Sequence, residues 1–242
     1  GSRKGELSVL ATLSATGLDL AVSGGKPLDD ALRFALSGEV EAFKLARLSW
    51  DDEVIGQREP PLQQFGAAAV APPPGAFLQA TPEGERDLLS TVQEIVGNAA
   101  QITDLFAGCG TFTLPLAERA EVHAVEGEKA MLAALDLGWR RAKGLKKVSH
   151  EARDLFRRPL MPDELRKADA VVIDPPRAGA EAQVRELAGS EVPLIASVSC
   201  NPVSFARDAR ILCEAGYRLH WVQVVDQFRW SNHVELVAKF SR

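Results

Sequence analysis

From Ala76 onward, short runs that suit strands alternate with longer stretches of helical periodicity, and this alternation restricts the fold more than any other feature of the chain. Strands are expected at 101–106, 121–126, 168–174 and 194–199. Helices are expected at 82–96, 112–119, 128–143, 180–188 and 202–215. Strands joined by helical crossovers run parallel, and a parallel sheet needs cover on both faces. Thr81 is placed as the N-cap of the first of these helices, with Pro82 at its first position. Met131, Leu132, Leu135 and Trp139 share one face of the helix at 128–143 and read as core. The closing strands, 217–225 and 233–240, are joined too briefly for a crossover, so this pair is expected to be antiparallel.

Residues 6–71 read differently. Strands are expected at 7–13, 18–22, 43–50 and 53–57, with one helix at 28–36, before Pro72-Pro73-Pro74-Gly75 interrupts the pattern. A boundary there divides a small α+β domain, 1–74, from a larger α/β domain, 75–242. At 242 residues, 46% hydrophobic and 25% charged, the chain can hold one full core and a smaller module. No apolar run approaches the ~20 residues that span a bilayer and the opening residues lead into no signal-type apolar region, so a cytoplasmic location with no membrane partner is expected; the chain is also expected to be a monomer. The opening Gly1-Ser2, so close to strand-like sequence, leaves room for further domains in the natural protein.

Three cysteines, Cys109, Cys200 and Cys213, with no CxxC or Cys/His cluster, argue against a disulfide framework and against a metal or iron-sulfur site. Cys109 and Cys213 read as small buried hydrophobes. The formal charge of -5 does not advertise a nucleic-acid binder. A local basic cluster, Arg140, Arg141, Lys143, Lys146 and Lys147 followed by Arg153, Arg157 and Arg158, reads first as a solvated helix end.

The run Asp104-Leu105-Phe106-Ala107-Gly108-Cys109-Gly110-Thr111 joins a strand to a helix, where small residues let backbone approach a ligand. The full GxGxxG spacing of dinucleotide sites is missing, because Phe112 and Thr113 follow the glycines. S-adenosyl-L-methionine is therefore the better candidate, with Phe106, Gly108, Gly110 and Thr111 as contacts. Glu126 ends the next strand, where a carboxylate can accept from both ribose hydroxyls. Asp154 follows the third strand-like segment; it reads as an adenine contact or as an acidic N-cap. These spacings resemble the class I adenosylmethionine-dependent methyltransferase fold over roughly 77–242, which implies a Rossmann-like sheet of seven strands ending in an antiparallel hairpin.

Two strand-end motifs carry the remaining chemistry. Asp174-Pro175-Pro176-Arg177 places a carboxylate and a rigid donor fork at one strand end. Cys200 closes the next strand beside Asn201, a good N-cap, and Pro202, so the start of a helix is expected to favour its thiolate and lower its pKa. Asp174-Pro175-Pro176-Arg177-Ala178-Gly179, Ser199-Cys200-Asn201-Pro202 leading to Ala206-Arg207-Asp208, and Asn232-His233-Val234-Glu235 resemble the successive motifs of the RNA uridine-5 methyltransferase family. Ala76-Phe77-Leu78-Gln79 is similar to the segment ahead of that family's cofactor domain. The resemblance implies that Cys200 adds to carbon 6 of a uracil, that Glu235 removes the carbon-5 proton, and that Arg177 holds the base. It also implies that Asp174 and Gln79 contact cofactor or base, and both are placed with the cofactor set. RNA is the implied partner, with ribosomal RNA preferred and transfer RNA possible. An unstacked base wants a platform, for which Phe205, Phe228, Arg229 and Trp230 are candidates.

The chain departs from the family where an RNA-binding barrel and a four-cysteine cluster often stand upstream, and so reads as a compact member or a fragment. Thr111 stands where the family usually has Asn, and Ala80-Thr81 replaces Val-Asn. Two other readings stay open: a methyltransferase for an exocyclic amine, using Asp174 without a nucleophile, and an RNA-binding module without turnover.

Overall fold

A computed structural model describes residues 6–51, 53–228 and 230–242. The chain forms two compact units, the first comprising residues up to Gln64 with Ala69–Phe77, the second Phe65–Ala68 with Leu78–Arg242.

In the first unit, β1 (Ser8–Ser14) and β2 (Gly17–Ser23) form a hairpin, α1 (Asp30–Ala42) crosses over, and β3 (Arg47–Trp50) lies parallel to β2 before β4 (Glu53–Gln57) returns antiparallel. The helix is longer than its periodicity predicts and β3 correspondingly shorter. Asp29 caps α1 by accepting from the Leu32 N–H, and the helix ends only where Lys44 turns to φ 51°. Val40, Leu45 and Leu48 form the small core, against Leu18, Leu20 and Ile55. Beneath them lies a buried ion pair across the β2–β3 register, in which Arg47 donates from Nε to Asp19 Oδ1 at 2.9 Å and from Nη2 to Oδ2 at 2.6 Å. A short ribbon, β5 (Gln63–Phe65) and β6 (Ala68–Val70), follows. Its tip belongs to the second unit, where the Ala67 N–H donates to Glu118 at 3.0 Å.

The second unit is an α/β sandwich. Its elements are α2 (Pro82–Val96), β7 (Gln101–Leu105), α3 (Thr113–Leu116), β8 (Glu121–Glu126), α4 (Lys129–Arg141), β9 (Val148–Ala152), α5 (Pro162–Leu165), β10 (Ala170–Ile173), α6 (Glu181–Ala188), β11 (Leu194–Ser199), α7 (Pro202–Glu214), β12 (Arg218–Val225) and β13 (Glu235–Ser241). The seven strands lie in the order β12-β13-β11-β10-β7-β8-β9. Only β13 runs against its neighbours, antiparallel to both β11 and β12. Thr81 caps α2 by accepting from the Gly84 N–H at 3.0 Å, with Pro82 in its first turn.

Strand side chains alternate between two cores. Val172, Ala196, Val198 and Val237 meet Leu88, Val92 and Ile95 of α2 and Leu132 and Leu135 of α4. Val171, Ile173, Ile195 and Phe240 meet Val184 and Leu187 of α6 and Leu212 of α7. Each fully buried Leu or Ile here contributes about 1.5–3 kcal/mol, which explains why β10, apolar at all four positions, occupies the sheet's centre. No helix among the described residues is long and apolar enough to cross a membrane.

Replacing Asp19 with Ala leaves the Arg47 guanidinium buried without a counter-charge. Urea unfolding is expected to show a loss of about 3–5 kcal/mol, most of it recovered when Arg47→Met is added.

Candidate active site

Parallel strands deliver their carboxyl ends to one edge of the sheet, and β13, being reversed, delivers its amino end there too. Ser199, the last residue of β11, is paired with Leu236, the second residue of β13. Cys200 and Glu235 stand one residue beyond this last pair, near enough that the charge of Glu235 acts on the thiol. One strand further in, the backbone N–H of Asp174 donates to the Leu105 carbonyl at 3.2 Å, which holds Asp174 at the mouth between β10 and β7.

The two strand-end motifs are bonded to each other. Asn201 caps α7 by accepting from the Val203 N–H at 3.0 Å, while its Nδ2 donates to the Arg177 carbonyl at 2.9 Å. Ser204 Oγ donates to the same carbonyl at 3.1 Å, Arg207 donates to Ala178 O, and the Ala180 N–H donates to Asp208 Oδ2 at 2.9 Å. Gly179, at φ 77°, makes this seating possible, since a Cβ there would stand 2.5 Å from Arg207 Nη2 and 2.6 Å from Asp208 Oδ2. Arg177 thereby keeps its backbone fixed and its side chain exposed. Its Nη1 lies 2.8 Å from His233 Nδ1, and because a guanidinium only donates, that ring nitrogen accepts.

Burial and crowding of acids set the electrostatics. Glu235 is 3% exposed, and burial raises its carboxyl to about 7. Asp174 is pushed up to about 8, by burial first and then by the charges of Glu235 and Asp104. The thiol of Cys200 is also raised, by burial and then by Glu235 and Asp174, with only its own backbone N–H and Arg177 pulling the other way. The expectation of a lowered thiol pKa is therefore wrong. A helix start contributes partial charge, whereas two nearby carboxylates and partial desolvation act directly on the sulfur. Cys213 also departs from expectation: it is exposed on α7, while Cys109 is buried, its thiol raised to about 12.

At the β7–β8 end, Gly108 (φ 55°) donates its N–H to Glu126 Oε2 at 3.0 Å, and the Glu128 N–H donates to Oε1 at 2.9 Å. Both carboxylate oxygens are thus aimed by backbone. A Cβ on Gly108 would meet nothing within 4 Å, so the turn borders open space, while Gly110 (φ 102°) is packed beneath it against Leu114 and Leu135. Phe106 (φ 62°) rests on Phe156 with ring centroids 5.4 Å apart, and Thr111 is half-buried at the turn's end. This open, amide-lined turn beside an oriented carboxylate fits an adenosine-bearing ligand. Asp154 is exposed and caps its own loop, accepting from the N–H groups of Phe156 and Arg157 at 3.0 and 3.3 Å.

Asp104, within the glycine turn's leading strand, received no role from the sequence. It is fully buried; Oδ2 accepts from Thr113 Oγ1 at 2.6 Å, Oδ1 has no partner among the described residues, and burial lifts the carboxyl to about 7. A strand-end acid inside an apolar run was the available signal. Gln79 is half-buried and bonded to Gln227. Of the platform candidates, Phe205 packs on Phe240, Phe228 sets its ring against His233, Trp230 is fully exposed at φ 67°, and Arg229 lies outside the described residues. The basic cluster is split by β9: residues 140–147 lie at its amino end, and Arg153, Arg157 and Arg158 at its carboxyl end, about 16 Å away. Arg153 is paired with Glu151 and Glu164. No group of three or more metal-ligating side chains occurs among the described residues.

The fold with this strand order is that of a class I adenosylmethionine-dependent methyltransferase, with an additional small α+β unit. A tRNA (uracil-54, C5)-methyltransferase from Pyrococcus abyssi, solved with S-adenosyl-L-homocysteine, superposes with a TM-score of 0.75 at 22% identity, over 96% of this chain and 59% of that one. The sequence profile of the tRNA (Uracil-5-)-methyltransferase family matches residues 71–241, and the chain belongs to that family. A protein of Brucella suis described as an uncharacterized RNA methyltransferase is 52% identical over 98% of this chain and 57% of its own length. The 23S rRNA (uracil(1939)-C(5))-methyltransferase RlmD of Chromohalobacter salexigens is 39% identical over 70% of this chain and 35% of its own length. The chain thus spans little more than half of the curated relatives it matches best among these.

A carboxyl raised by the fold stabilises it fully only below the unfolded value of about 3.9, and that contribution is lost as pH rises through about 7. Asp104→Asn removes this titration, so the melting temperature of the variant is expected to fall less than that of the wild type between pH 4 and pH 8.

Proposed function

We propose that this chain is the methyl-transferring part of an RNA (uracil-5-)-methyltransferase working in the cytoplasm, with Cys200 as nucleophile and Glu235 as base. The observation that supports the reading is the antiparallel pairing of Ser199 with Leu236, beyond which Cys200 and Glu235 follow at the sheet edge where Asp174 and Arg177 also end. S-adenosyl-L-methionine, when bound, supplies an electrophilic methyl group. Glu126 would accept from its ribose hydroxyls, and the turn from Phe106 to Thr111 would lie along it. Asp174 would stand between the two halves of the site. Asp154, whose oxygens are turned to its own loop, is the weakest member of the cofactor set.

Carbon 5 of uracil is a poor nucleophile until something adds to carbon 6. Cys200, half-buried, would release its proton to solvent through the open side of the site, and its sulfur would bond to carbon 6, sending the ring π electrons toward carbon 5 and O4. Arg177 would donate to that oxygen as charge develops. Once carbon 5 has taken the methyl group, the Glu235 carboxylate would remove the remaining proton there; the electrons re-form the double bond and expel the thiolate. A carboxyl at about 7 is poised for this, being ionised in much of the population near neutral pH yet more basic than a free glutamate. The target base must leave its stack, and Trp230, fully exposed on the loop leading to Glu235, would serve as platform.

Ribosomal RNA is the preferred substrate, supported by the likeness to a 23S rRNA methyltransferase; the transfer-RNA enzyme of like fold supports a second reading. With a 23S transcript carrying 5-fluorouridine, carbon 5 bears fluorine in place of the proton that Glu235 removes, so the adduct is expected to persist and map to Cys200 by mass spectrometry. Cys200→Ser is expected to abolish it. Glu235→Gln is expected to accumulate the same adduct on ordinary uridine. Full methylation by Cys200→Ser would select exocyclic-amine chemistry instead, and no methyl transfer at all would select a binding module. Adduct formation is also expected to speed up as pH rises through 7 to 9, because the thiol sits above its ordinary range; Asp174→Asn, by removing one raising charge, is expected to move that limb to lower pH.

A further inference from the structure

Gln227, 7% exposed just beyond β12, sits in a chain of hydrogen bonds whose direction can be read from one end. The backbone N–H of Thr81 points at Gln227 Oε1 at 3.3 Å, and the other end of the Gln227 amide meets Gln79 Oε1 at 2.8 Å. A backbone N–H can only donate, so the atom facing Thr81 is an oxygen. The opposite end of Gln227 is then its NH2 group, and what that group meets on Gln79 is the carbonyl oxygen. Gln79 is left with its own NH2 group turned away from Gln227, and no described side chain or backbone oxygen accepts from it. Polarity thus passes from the N-cap of α2 through Gln227 to Gln79.

The seating is tight. A Cβ on Gly84 would stand 2.2 Å from Gln227 Cγ and 2.4 Å from Cδ, so the glycine in α2 is what admits the amide. Its place along the sheet edge matters as much. Val225, two residues before Gln227, is paired with Glu235, whereas Glu126 lies on β8, four strand spacings or about 19 Å from β13. Gln79 is therefore held at the end of the edge that carries Cys200 and Glu235.

We propose that Gln227 is a positioning residue that makes the site select uracil over cytosine, by holding the NH2 group of Gln79 toward the base. An N–H donor there suits the carbonyl at carbon 4 of uracil and opposes the amino group that cytosine carries at the same position. The inference rests on the reading of the chain as a uridine methyltransferase. It concerns which atom of Gln79 faces the substrate and what decides that, and Gln227 itself touches neither base nor cofactor.

Gln227→Glu can still accept from the Thr81 N–H but has no donor for Gln79, which must turn its NH2 group inward and offer oxygen to the base. Gln227→Leu imposes no direction. Adduct formation would be measured on a 23S transcript carrying 5-fluorouridine and on the same transcript carrying 5-fluorocytidine, with adenosylmethionine affinity taken separately by calorimetry. Gln227→Glu is expected to slow the uridine adduct about 10- to 100-fold, more than Gln227→Leu does, and to narrow the preference over cytidine while cofactor affinity changes less than about twofold. On a Gln79→Ala background the Gln227→Glu change is expected to have no further effect. Equal losses in the Glu and Leu variants, a loss that persists without Gln79, or a parallel fall in cofactor affinity would overturn the proposal. If Gln227→Glu does not fold, Gln79→Glu still accepts from Gln227 but turns a carboxylate oxygen to the base in place of the NH2 group, and must show the same narrowing. A wild-type chain that forms no uridine adduct overturns the underlying reading, and this one with it; a wild-type adduct with an unaltered Gln227→Glu overturns this one alone.

Discussion

The reversal of β13 is the constraint on which the rest of the site depends. In a wholly parallel sheet a residue at the amino end of a strand lies at the far edge from every strand-end motif. Because β13 runs backwards between β11 and β12, its first residue, Glu235, arrives beside the end of β11 and is buried there by strands on both sides. That one reversal puts a carboxyl, a thiol and Asp174 into a common field, and the mutual repulsion of their charged forms follows from it.

What keeps this crowded edge in place is a set of side-chain hydrogen bonds to the backbone of the Pro-Pro turn. Asn201 uses the oxygen of its amide to cap α7 and the nitrogen to hold the Arg177 carbonyl, so the Pro-Pro turn and the cysteine turn move as one piece. Gly179 permits that contact by presenting no side chain to Asp208 and Arg207. The site's acids are paid for by the two apolar cores behind them, where β10 and its neighbours are buried on both faces.

Much of the fold was legible because it follows from local rules. The Thr81 cap and Pro82 start of α2, the apolar face of α4 and the antiparallel ending were all readable from spacing and turn chemistry. The end of α1 was not, since Phe43 to Ala46 are as apolar as a strand start and only the left-handed turn at Lys44 stops the helix. The basic residues from 140 to 158 form one cluster in the chain and two on the molecule, because β9 carries half of them across the sheet.

By itself the sequence determined the alternation that makes a doubly covered sheet, the glycine turn with its Glu126 partner, and the residue types placed at each strand end. Those depend on periodicity and on backbone conformations that few residues tolerate. Only the tertiary structure decided that the Cys200 thiol is raised and not lowered, that Asp104 is a buried acid with an unpartnered oxygen, and that Gln227 dictates which way Gln79 faces. Each of these rests on neighbours from distant parts of the chain, and desolvation, repulsion and hydrogen-bond direction have no meaning until those neighbours are brought within a few ångströms.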